Sequence, residues 1–311
     1  MRILVVYYIT SEARLQTEWA DGFAAGARRL SDDNETHWYN LAVDGPDQID
    51  ARRNYDFVLA KSNWGWHVDR FVRRELAGTA VRRGIAISGS ARLPSAKRAR
   101  FYDVLFYETD WYRPYVESHP RVYHAFGVNT DIMNPSVQQA EKQYDWMTVG
   151  AFQSHKRQWL ILNKPGKKLA VGDVGEADPD ILRQLRAGGV EIHDYVSQER
   201  LATLYGQARY VYVPATLHGG GERALMEAQA CGTPVAIEPD NPKLAELLAR
   251  PEPWSHHYYG DQLAKGISAA MEAPGRTRLA RTQDWLLEKI PDRRAAATRL
   301  AGLRERMGKQ R

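Results

Sequence analysis

The fold of this chain is decided by the stretch His218-Gly-Gly-Gly-Glu-Arg-Ala-Leu-Met-Glu-Ala-Gln-Ala-Cys-Gly-Thr-Pro-Val235. It follows a predicted strand that ends at Pro214, and three glycines, Gly219, Gly220 and Gly221, open a predicted helix. Glycine lets a backbone approach a ligand closely, and a helix start offers free N–H groups and the positive end of the helix dipole. The pattern predicts a binding site for a diphosphate. The alternative is a loop that only lets helix and strand pack together.

Two carboxylates lie on this predicted helix. Glu227 follows Glu222 by five residues, which is about 7–8 Å along a helix axis. A carboxylate at that distance reaches ribose hydroxyls while phosphates occupy the helix start. The helix is expected to end at Gly232, before Pro234 leads into the next strand.

A second element lies upstream. Gly150 ends a predicted strand, and Lys156 and Arg157 follow in the loop that enters the next helix. Cations at this place neutralise a departing pyrophosphate. The alternative is a pair of surface cations at a helix start.

Around these elements, apolar runs alternate with helical patterns over 311 residues, which fits two α/β domains with parallel sheets. The predicted strands are Ile3–Ile9, His37–Leu41, Phe57–Lys61, Ile85–Ser88, Val104–Tyr107, Val122–Phe126, Trp146–Val149, Lys168–Val171, Val190–His193, Val211–Val213 and Val235–Ile237. The predicted helices are Leu15–Leu30, Val68–Ala80, Pro179–Ala187, Gln198–Ala208, Glu222–Ala230 and Pro242–Arg250, and the chain after Gly260 is expected to be mostly helical.

A turn-rich, polar segment at residues 127–142 separates the two series. We therefore predict a first Rossmann-like domain over 1–136, a second over 137–285 and a basic terminal helix over 286–311. Because ligands bind at the carboxyl ends of parallel strands, two such sheets predict a ligand in a cleft between them.

Composition is that of an ordinary globular protein, with 43% hydrophobic and 26% charged residues. No run of 18 apolar residues predicts a transmembrane helix, and the N-terminus is typical of a buried strand rather than a signal peptide. A single cysteine, Cys231, predicts a reducing, cytoplasmic setting.

The net charge of +5 is unevenly distributed. Residues 70–100 hold nine basic side chains and one acid, and residues 293–311 hold seven and one. Two such segments indicate an anionic partner, either nucleic acid or a membrane surface. The alternative is a solvated helix face on an arginine-rich protein.

Several features occur in one order that resembles a known family. They are Phe126-Gly-Val-Asn-Thr-Asp131 with Pro135, the loop from Gly150 to Lys156, Gly172-Asp173, the strand Val190–His193 into Tyr195-Val196, Pro214, and the glycine loop through Glu227-Ala228 to Cys231-Gly-Thr-Pro-Val235. Over residues 122–250 the chain resembles the donor-binding domain of retaining GT-B glycosyltransferases, closest to family 4.

The resemblance implies a nucleoside diphosphate sugar as co-substrate, no metal or other cofactor, and a terminal helix that crosses back to the first domain. It implies that Lys156 binds the diphosphate and that the backbone of Gly219–Gly221 cradles it. Glu227 would hold the ribose, and Tyr195 and Val196 would border the base.

Two positions depart from the family pattern. Ala151 stands where an arginine is usual, and we hypothesise that Arg157 substitutes for it. Gly219 stands where the family has a second glutamate, which contacts the transferred sugar. Glu222 or His218 would take over that contact.

The first domain is expected to hold the acceptor. Trp64 and Trp66 follow a predicted strand and would stack on a sugar ring or a base, with His67 as a polar catalytic group. The alternative places one or both tryptophans in the core. Glu108 and Asp110 also follow a strand, where they either contact the acceptor or cap the next short helix.

The acidic and histidine pairs do not predict a metal site. Asp178-Pro-Asp180 precedes a helical pattern and is typical of a helix cap. His256-His257 is expected to lie on a surface loop.

These patterns predict a glycosyltransferase whose acceptor is a modified base in DNA, a membrane lipid, or a neutral glycan or small molecule. A DNA acceptor would use the basic segments for phosphates, and a lipid acceptor would use them for anionic headgroups. The alternatives are a non-catalytic protein that binds nucleotide sugars and an epimerase on the same fold.

Overall fold

The computed structural model describes residues 1–10, 21–44, 54–63, 65–87, 96–275 and 281. These residues form two parallel β-sheets with helices packed against them. The two-domain α/β plan predicted from the sequence is confirmed.

The first sheet has the strand order β2-β1-β3-β4-β5-β6. Its strands are β1 (Arg2–Tyr7), β2 (Glu35–Asn40), β3 (Phe57–Lys61), β4 (Arg82–Ile87), β5 (Val104–Tyr107) and β6 (Val122–His124). All pairings are parallel, and β1, β3 and β5 are buried almost throughout. Such continuous apolar strands are typical of a sheet covered on both faces.

The helices of the first half are short. They are α1 (Gly22–Arg28), α2 (His67–Leu76), α3 (Ala96–Ala99) and α4 (Arg113–Val116). The Asp21 side chain caps α1 by accepting a hydrogen bond from the Ala24 amide at 2.8 Å. The predicted helix Leu15–Leu30 is thus observed only from Gly22 onward, and residues 11–20 lie outside the described residues.

The second sheet has the order β11-β10-β7-β8-β9, again with all pairings parallel. Its strands are β7 (Tyr144–Val149), β8 (Lys168–Val171), β9 (Glu191–His193), β10 (Ala208–Val213) and β11 (Val235–Ile237). Its helices are α5 (Pro179–Ala187), α6 (Gln198–Gln207), α7 (Glu222–Ala230) and α8 (Pro242–Leu248). The loop that holds Lys156 contains a short 3-10 turn, Ser154–Lys156, and the segment predicted as a helix after it is the 3-10 helix Gln158–Asn163.

A long helix, α9 (His256–Glu272), follows the second sheet but packs against α1, β5 and β6 of the first. The chain therefore crosses back before residue 285, and the predicted range 137–285 contains a helix that belongs to the first domain in space. Small residues permit this contact: a Cβ on Gly266 would overlap the ring of Phe106. The predicted terminal helix over 286–311 lies outside the described residues.

Contacts between the domains join the carboxyl ends of their strands, as expected for a shared cleft. Asp21 of the first domain pairs with Arg223 of α7 at 3.0 Å, and Lys61 at the end of β3 lies 3.5 Å from Asp21. Burial would raise the pKa of Asp21, but the charges of Arg223 and Lys61 and the Ala24 amide hold this pKa well below its ordinary value.

The basic segment 70–100 is largely occupied by contacts within the protein. Arg83 is fully buried, Arg73 pairs with Asp69 at 3.0 Å, and Arg74 pairs with Glu75 at 2.8 Å. Arg70 donates to the carbonyls of residues 65 and 66, and Arg82 donates to those of residues 273 and 274. Counting charges along the sequence therefore overstated the cations available to an anionic partner. Residues 88–95, with Arg92, and the segment 293–311 lie outside the described residues.

Among the described helices, none combines the length and the apolar content that crossing a membrane requires.

Candidate functional site

The Lys156 side chain connects the two predicted phosphate elements. Gly150 has φ of 142° at the end of β7, and a Cβ there would lie 3.6 Å from Lys156 Cδ. The Lys156 ammonium lies 3.3 Å from the position of a Cβ on Gly220. The Lys156 side chain thus lies along the strand-end glycine, and its charge is placed beside the glycine loop.

The glycine loop is fixed by the carbonyl of His155. This oxygen accepts hydrogen bonds from the Thr216 amide at 3.0 Å and hydroxyl at 3.2 Å. A Cβ on Gly219 would overlap the same oxygen. The glutamate that the family pattern places at this position therefore does not fit here, which explains why the chain has glycine.

Helix α7 begins directly after the glycines. Gly221 precedes it with φ of 101°, and a Cβ at Gly221 would press on Val213 of β10 at 2.7 Å. These constraints hold the start of α7 against the end of β10. The first amides of α7 and the positive end of its dipole face the space beside Gly220 and Lys156. A diphosphate-binding site requires this arrangement.

Glu222, the first residue of α7, is 3% exposed. One of its carboxylate oxygens lies 2.6 Å from the Lys243 ammonium, in an orientation suited to an ion pair rather than to an aligned hydrogen bond. Its other oxygen lies 3.4 Å from the position of a Cβ on Gly220. Glu222 and Lys156 thus flank the same glycine.

Glu227 is 3% exposed and accepts a hydrogen bond from the Tyr205 hydroxyl at 3.1 Å. Burial raises the pKa of the Glu227 carboxyl to about 7, against the opposing effects of the Arg223 charge and the Tyr205 hydrogen bond. A carboxylate accepts hydrogen bonds from hydroxyls, whereas the protonated acid is a poorer acceptor. Protonation of Glu227 therefore weakens it as a hydrogen-bond acceptor for a ribose, the role that the resemblance implies for it.

If Glu227 holds the ribose of a nucleoside diphosphate sugar, as the resemblance implies, we expect the affinity for that ligand to rise about tenfold from pH 6 to pH 8, because the ionised fraction of a group with a pKa of about 7 rises by that factor. The interaction is complete above this pKa and is lost as pH falls through it. Calorimetric titration at several pH values measures the effect. Glu227→Gln is the control, with weaker and pH-independent binding; an unchanged pH slope in that variant would contradict the assignment.

Arg157 has contacts that oppose its predicted role at the donor. Its guanidinium pairs with both carboxylate oxygens of Asp240 at 2.7 and 2.8 Å, and its Nε donates to the Pro214 carbonyl at 2.6 Å. All three guanidinium nitrogens are engaged, and the residue has φ of 51°. Arg157 instead ties the 154–157 turn to the ends of β10 and β11, and we do not retain it as a substitute for the arginine missing at Ala151.

The other residues predicted to bind the sugar donor lie around this candidate diphosphate-binding site. Tyr195 and Val196 are half-buried after β9. His218 is exposed at the turn before the glycines. These positions keep Tyr195, Val196 and His218 as candidate contacts.

On the acceptor side, Trp66 is 9% exposed and packs in the core of the first domain, where Arg98 lies over its ring at 5.7 Å. This placement favours the core interpretation over stacking on an acceptor. His67 is exposed at the start of α2, with its ring stacked on Tyr8 at 4.6 Å. Trp64 lies outside the described residues.

Glu108 and Asp110 follow β5 but differ in exposure. Glu108 is buried, whereas Asp110 is exposed and accepts a hydrogen bond from the Tyr107 hydroxyl at 3.2 Å. The 3-10 turn Asp110–Tyr112 is capped by Glu246 of α8, which accepts from the amides of residues 110 and 111 at 2.8 and 3.0 Å. The Asp110 carboxylate stays a candidate acceptor contact.

Asp178 caps α5, as predicted, by accepting from the Asp180 amide at 2.9 Å. His256 and His257 begin α9 rather than lying on a surface loop as predicted, and His256 is buried. Together with Asp131 they form the one group within the described residues whose atoms are close enough for a metal ion. However, the Nδ1 atoms of both histidines accept hydrogen bonds, from the Thr130 amide and from Arg29. Their protons then lie on Nε2, facing Asp131, which leaves these atoms as donors rather than ligands.

Sequence reasoning missed the residues that join the site to the first domain: Asp21, Tyr112, Arg223, Lys243 and Glu246. A signal for Lys243 was present in Asn241-Pro242-Lys243, where a helix-capping residue and proline follow β11. What the sequence did not show is that β11 lies beside β10, which brings Lys243 to Glu222.

No family model and no curated protein matches this sequence. Solved structures do match its fold. HepE of Anabaena, determined with UDP and glucose, matches with a TM-score of 0.57 at 13% identity, over 99% of this chain and 100% of HepE. The fold is GT-B. A glycosyltransferase from Rickettsia africae matches with a TM-score of 0.55 at 13% identity, over 87% of this chain and 90% of its own.

A third match extends over the full length of both chains. The sucrose-phosphate synthase of Thermosynechococcus elongatus has a TM-score of 0.56 at 11% identity, with 100% of each chain covered. The GT-B arrangement therefore includes both domains of this protein.

Proposed function

We propose that this chain is a glycosyltransferase that moves a sugar from a UDP-sugar to an acceptor hydroxyl, with retention of configuration and without a metal, as the resemblance to family 4 implies. The observation that carries the proposal is the meeting of the Lys156 ammonium and the start of α7 beside Gly220. Such a cationic, glycine-lined helix start is suited to a diphosphate.

In this proposal the bond between the sugar C1 and the diphosphate oxygen breaks, and the diphosphate leaves with the electron pair. Lys156 and the first amides of α7 stabilise the charge that develops on it. The acceptor oxygen bonds to C1 and passes its proton to the departing diphosphate. Because the His155 carbonyl already holds the glycine loop that leads into α7, orienting the first amides of α7 costs little at the moment of reaction.

The remaining donor contacts follow from their positions. Glu227 holds the ribose, and Tyr195 and Val196 border the base. Glu222 replaces the glutamate that cannot fit at Gly219 and accepts hydrogen bonds from the transferred sugar. The choice of UDP is supported by the HepE structures, which hold UDP and UDP-glucose on the same fold.

We place the acceptor on the first domain, against His67 and the strand-end carboxylates Glu108 and Asp110. The internal contacts of Arg70, Arg73, Arg74, Arg82 and Arg83 favour a neutral glycan or small molecule over DNA or an anionic lipid. We retain the cytoplasm as the location, as predicted from the single cysteine.

The test is a thermal-shift panel of UDP-, GDP-, ADP- and dTDP-sugars together with a measurement of free sugar released. Stabilisation by UDP-sugars with slow sugar release supports transfer, because a glycosyltransferase without its acceptor hydrolyses its donor slowly. Binding without release points to a non-catalytic protein, and conversion of the donor sugar points to an epimerase. No binding of any member would overturn the proposal.

A further inference from the structure

Lys243 is a fully buried cation that contacts Glu222 of the second domain and the aromatic residues Trp111 and Tyr112 of the first. Its side chain has no exposed surface, and the Glu222 carboxylate, 2.6 Å away, is 4% exposed. The Lys243 ammonium also lies 3.4 Å from the hydroxyl of Tyr112, which belongs to the first domain. Because an unpaired buried charge is strongly unfavourable, these contacts constrain both ends of the pair.

The helix that carries Lys243 is itself docked on the first domain. Glu246, one turn further along α8, accepts hydrogen bonds from two amides of the Asp110–Tyr112 turn. At its start, α8 is tied to the glycine-loop side of the second domain, because Asn241 donates to the carbonyls of residues 215 and 216 at 3.1 and 3.0 Å. Lys243 is therefore held by Glu222, by Tyr112 and by the contacts that fix both ends of α8.

The ion pair decides which way the Glu222 carboxylate points. Lys243 holds one oxygen, and the second oxygen faces the glycine loop beside Gly220, across from Lys156. A carboxylate on the first turn of a helix is otherwise attracted to the free amides there. It would then occupy the place of the diphosphate instead of the place beside it.

We infer that Lys243 is a positioning residue that fixes Glu222 against the hydroxyls of the transferred sugar. The inference rests on the proposed function and adds to it the group that sets recognition of the sugar, as distinct from recognition of the nucleotide. Lys243 touches no substrate and acts through Glu222. Tyr112 and α8 extend this support into the first domain.

The experiment compares calorimetric affinities for UDP and for UDP-glucose, because only the second ligand presents a sugar to Glu222. In the wild type UDP-glucose is expected to bind more tightly than UDP. Lys243→Met is expected to lower this preference by about tenfold or more, since a misplaced carboxylate no longer accepts from the sugar hydroxyls. Glu222→Gln is expected to lower it similarly.

The double variant Glu222→Gln/Lys243→Met separates positioning from packing. It leaves no unpaired buried charge, so it folds even where a single variant is unstable. If Lys243 acts through Glu222, the double variant has the same sugar preference as Glu222→Gln alone. A further loss of preference in the double variant would overturn the inference, as would equal losses of UDP and UDP-glucose affinity in Lys243→Met.

Glu246→Gln is the matched control on the same helix. It weakens the docking of α8 on the first domain without touching Glu222, so the sugar preference is expected to persist. Loss of the preference in Glu246→Gln would assign the effect to domain docking and overturn the inference. If the wild type binds neither UDP nor UDP-glucose, the proposed function itself fails. If it binds both with a preference that Lys243→Met retains, only the inference fails.

Discussion

Replacing Lys156 with alanine is expected to lower kcat for release of glucose from UDP-glucose by about 100- to 1000-fold, the usual effect of removing one preorganised group that stabilises transition-state charge. The Lys156 ammonium stands between Gly150 and Gly220, where the proposed mechanism places the negative charge that develops on the departing diphosphate. Because that charge is larger in the transition state than in the bound donor, kcat should fall more than KM rises.

Two further variants make this expectation specific. Lys156→Arg keeps the charge and should retain part of the activity, because a guanidinium also binds phosphate. Lys164→Ala removes a lysine that lies over the rings of Trp146 and Tyr212, 5.2 and 4.2 Å away. It should leave kcat unchanged. Activity of Lys156→Ala within threefold of the wild type would remove this lysine from the proposed mechanism.

The sheets were predictable because their signal is local. Buried parallel strands are continuous apolar runs, and Phe57–Lys61, Val104–Tyr107, Lys168–Val171 and Val235–Ile237 are confirmed to the residue. Helix starts were equally local, since Asp178-Pro179 marks its helix by capping chemistry alone. Neither signal needs knowledge of distant contacts.

The partners of charged side chains were not predictable in this way. Arg157 follows Lys156 directly and looks like a second phosphate ligand, but its partner Asp240 lies 83 positions further along the chain. The same holds for Lys243 and Glu222, which meet only because β10 and β11 are neighbours. The glycine at 219 also has its reason in a distant atom, the carbonyl oxygen of His155.

Arg83 is a further charged side chain whose partners are distant in the sequence. Its replacement by alanine is expected to lower the free energy of unfolding by about 3 kcal/mol or more. Its guanidinium is fully buried, donates to the carbonyls of Phe101 and Leu76 at 2.6 and 2.8 Å, and lies 3.7 Å over the Phe101 ring. Alanine removes this donor from the Phe101 carbonyl and leaves a cavity beside it, whereas the Leu76 carbonyl keeps its hydrogen bonds from the Thr79 amide and hydroxyl at 3.1 and 2.9 Å. Urea denaturation monitored by circular dichroism measures the loss.

The matched control is Arg74→Ala, which removes a cation from the same basic segment. The Arg74 side chain is 52% exposed, pairs with Glu75 and lies 5.8 Å from the centre of the Phe71 ring, so its loss should change stability by less than about 0.5 kcal/mol. Salt should leave the difference between the two variants intact, because a buried guanidinium is hardly screened. If both variants had equal, small effects, Arg83 would have to be a surface residue. The basic segment 70–100 would then again be a candidate surface for binding a polyanion. A large effect of Arg83→Ala alone would show that its charge supports the first domain from within.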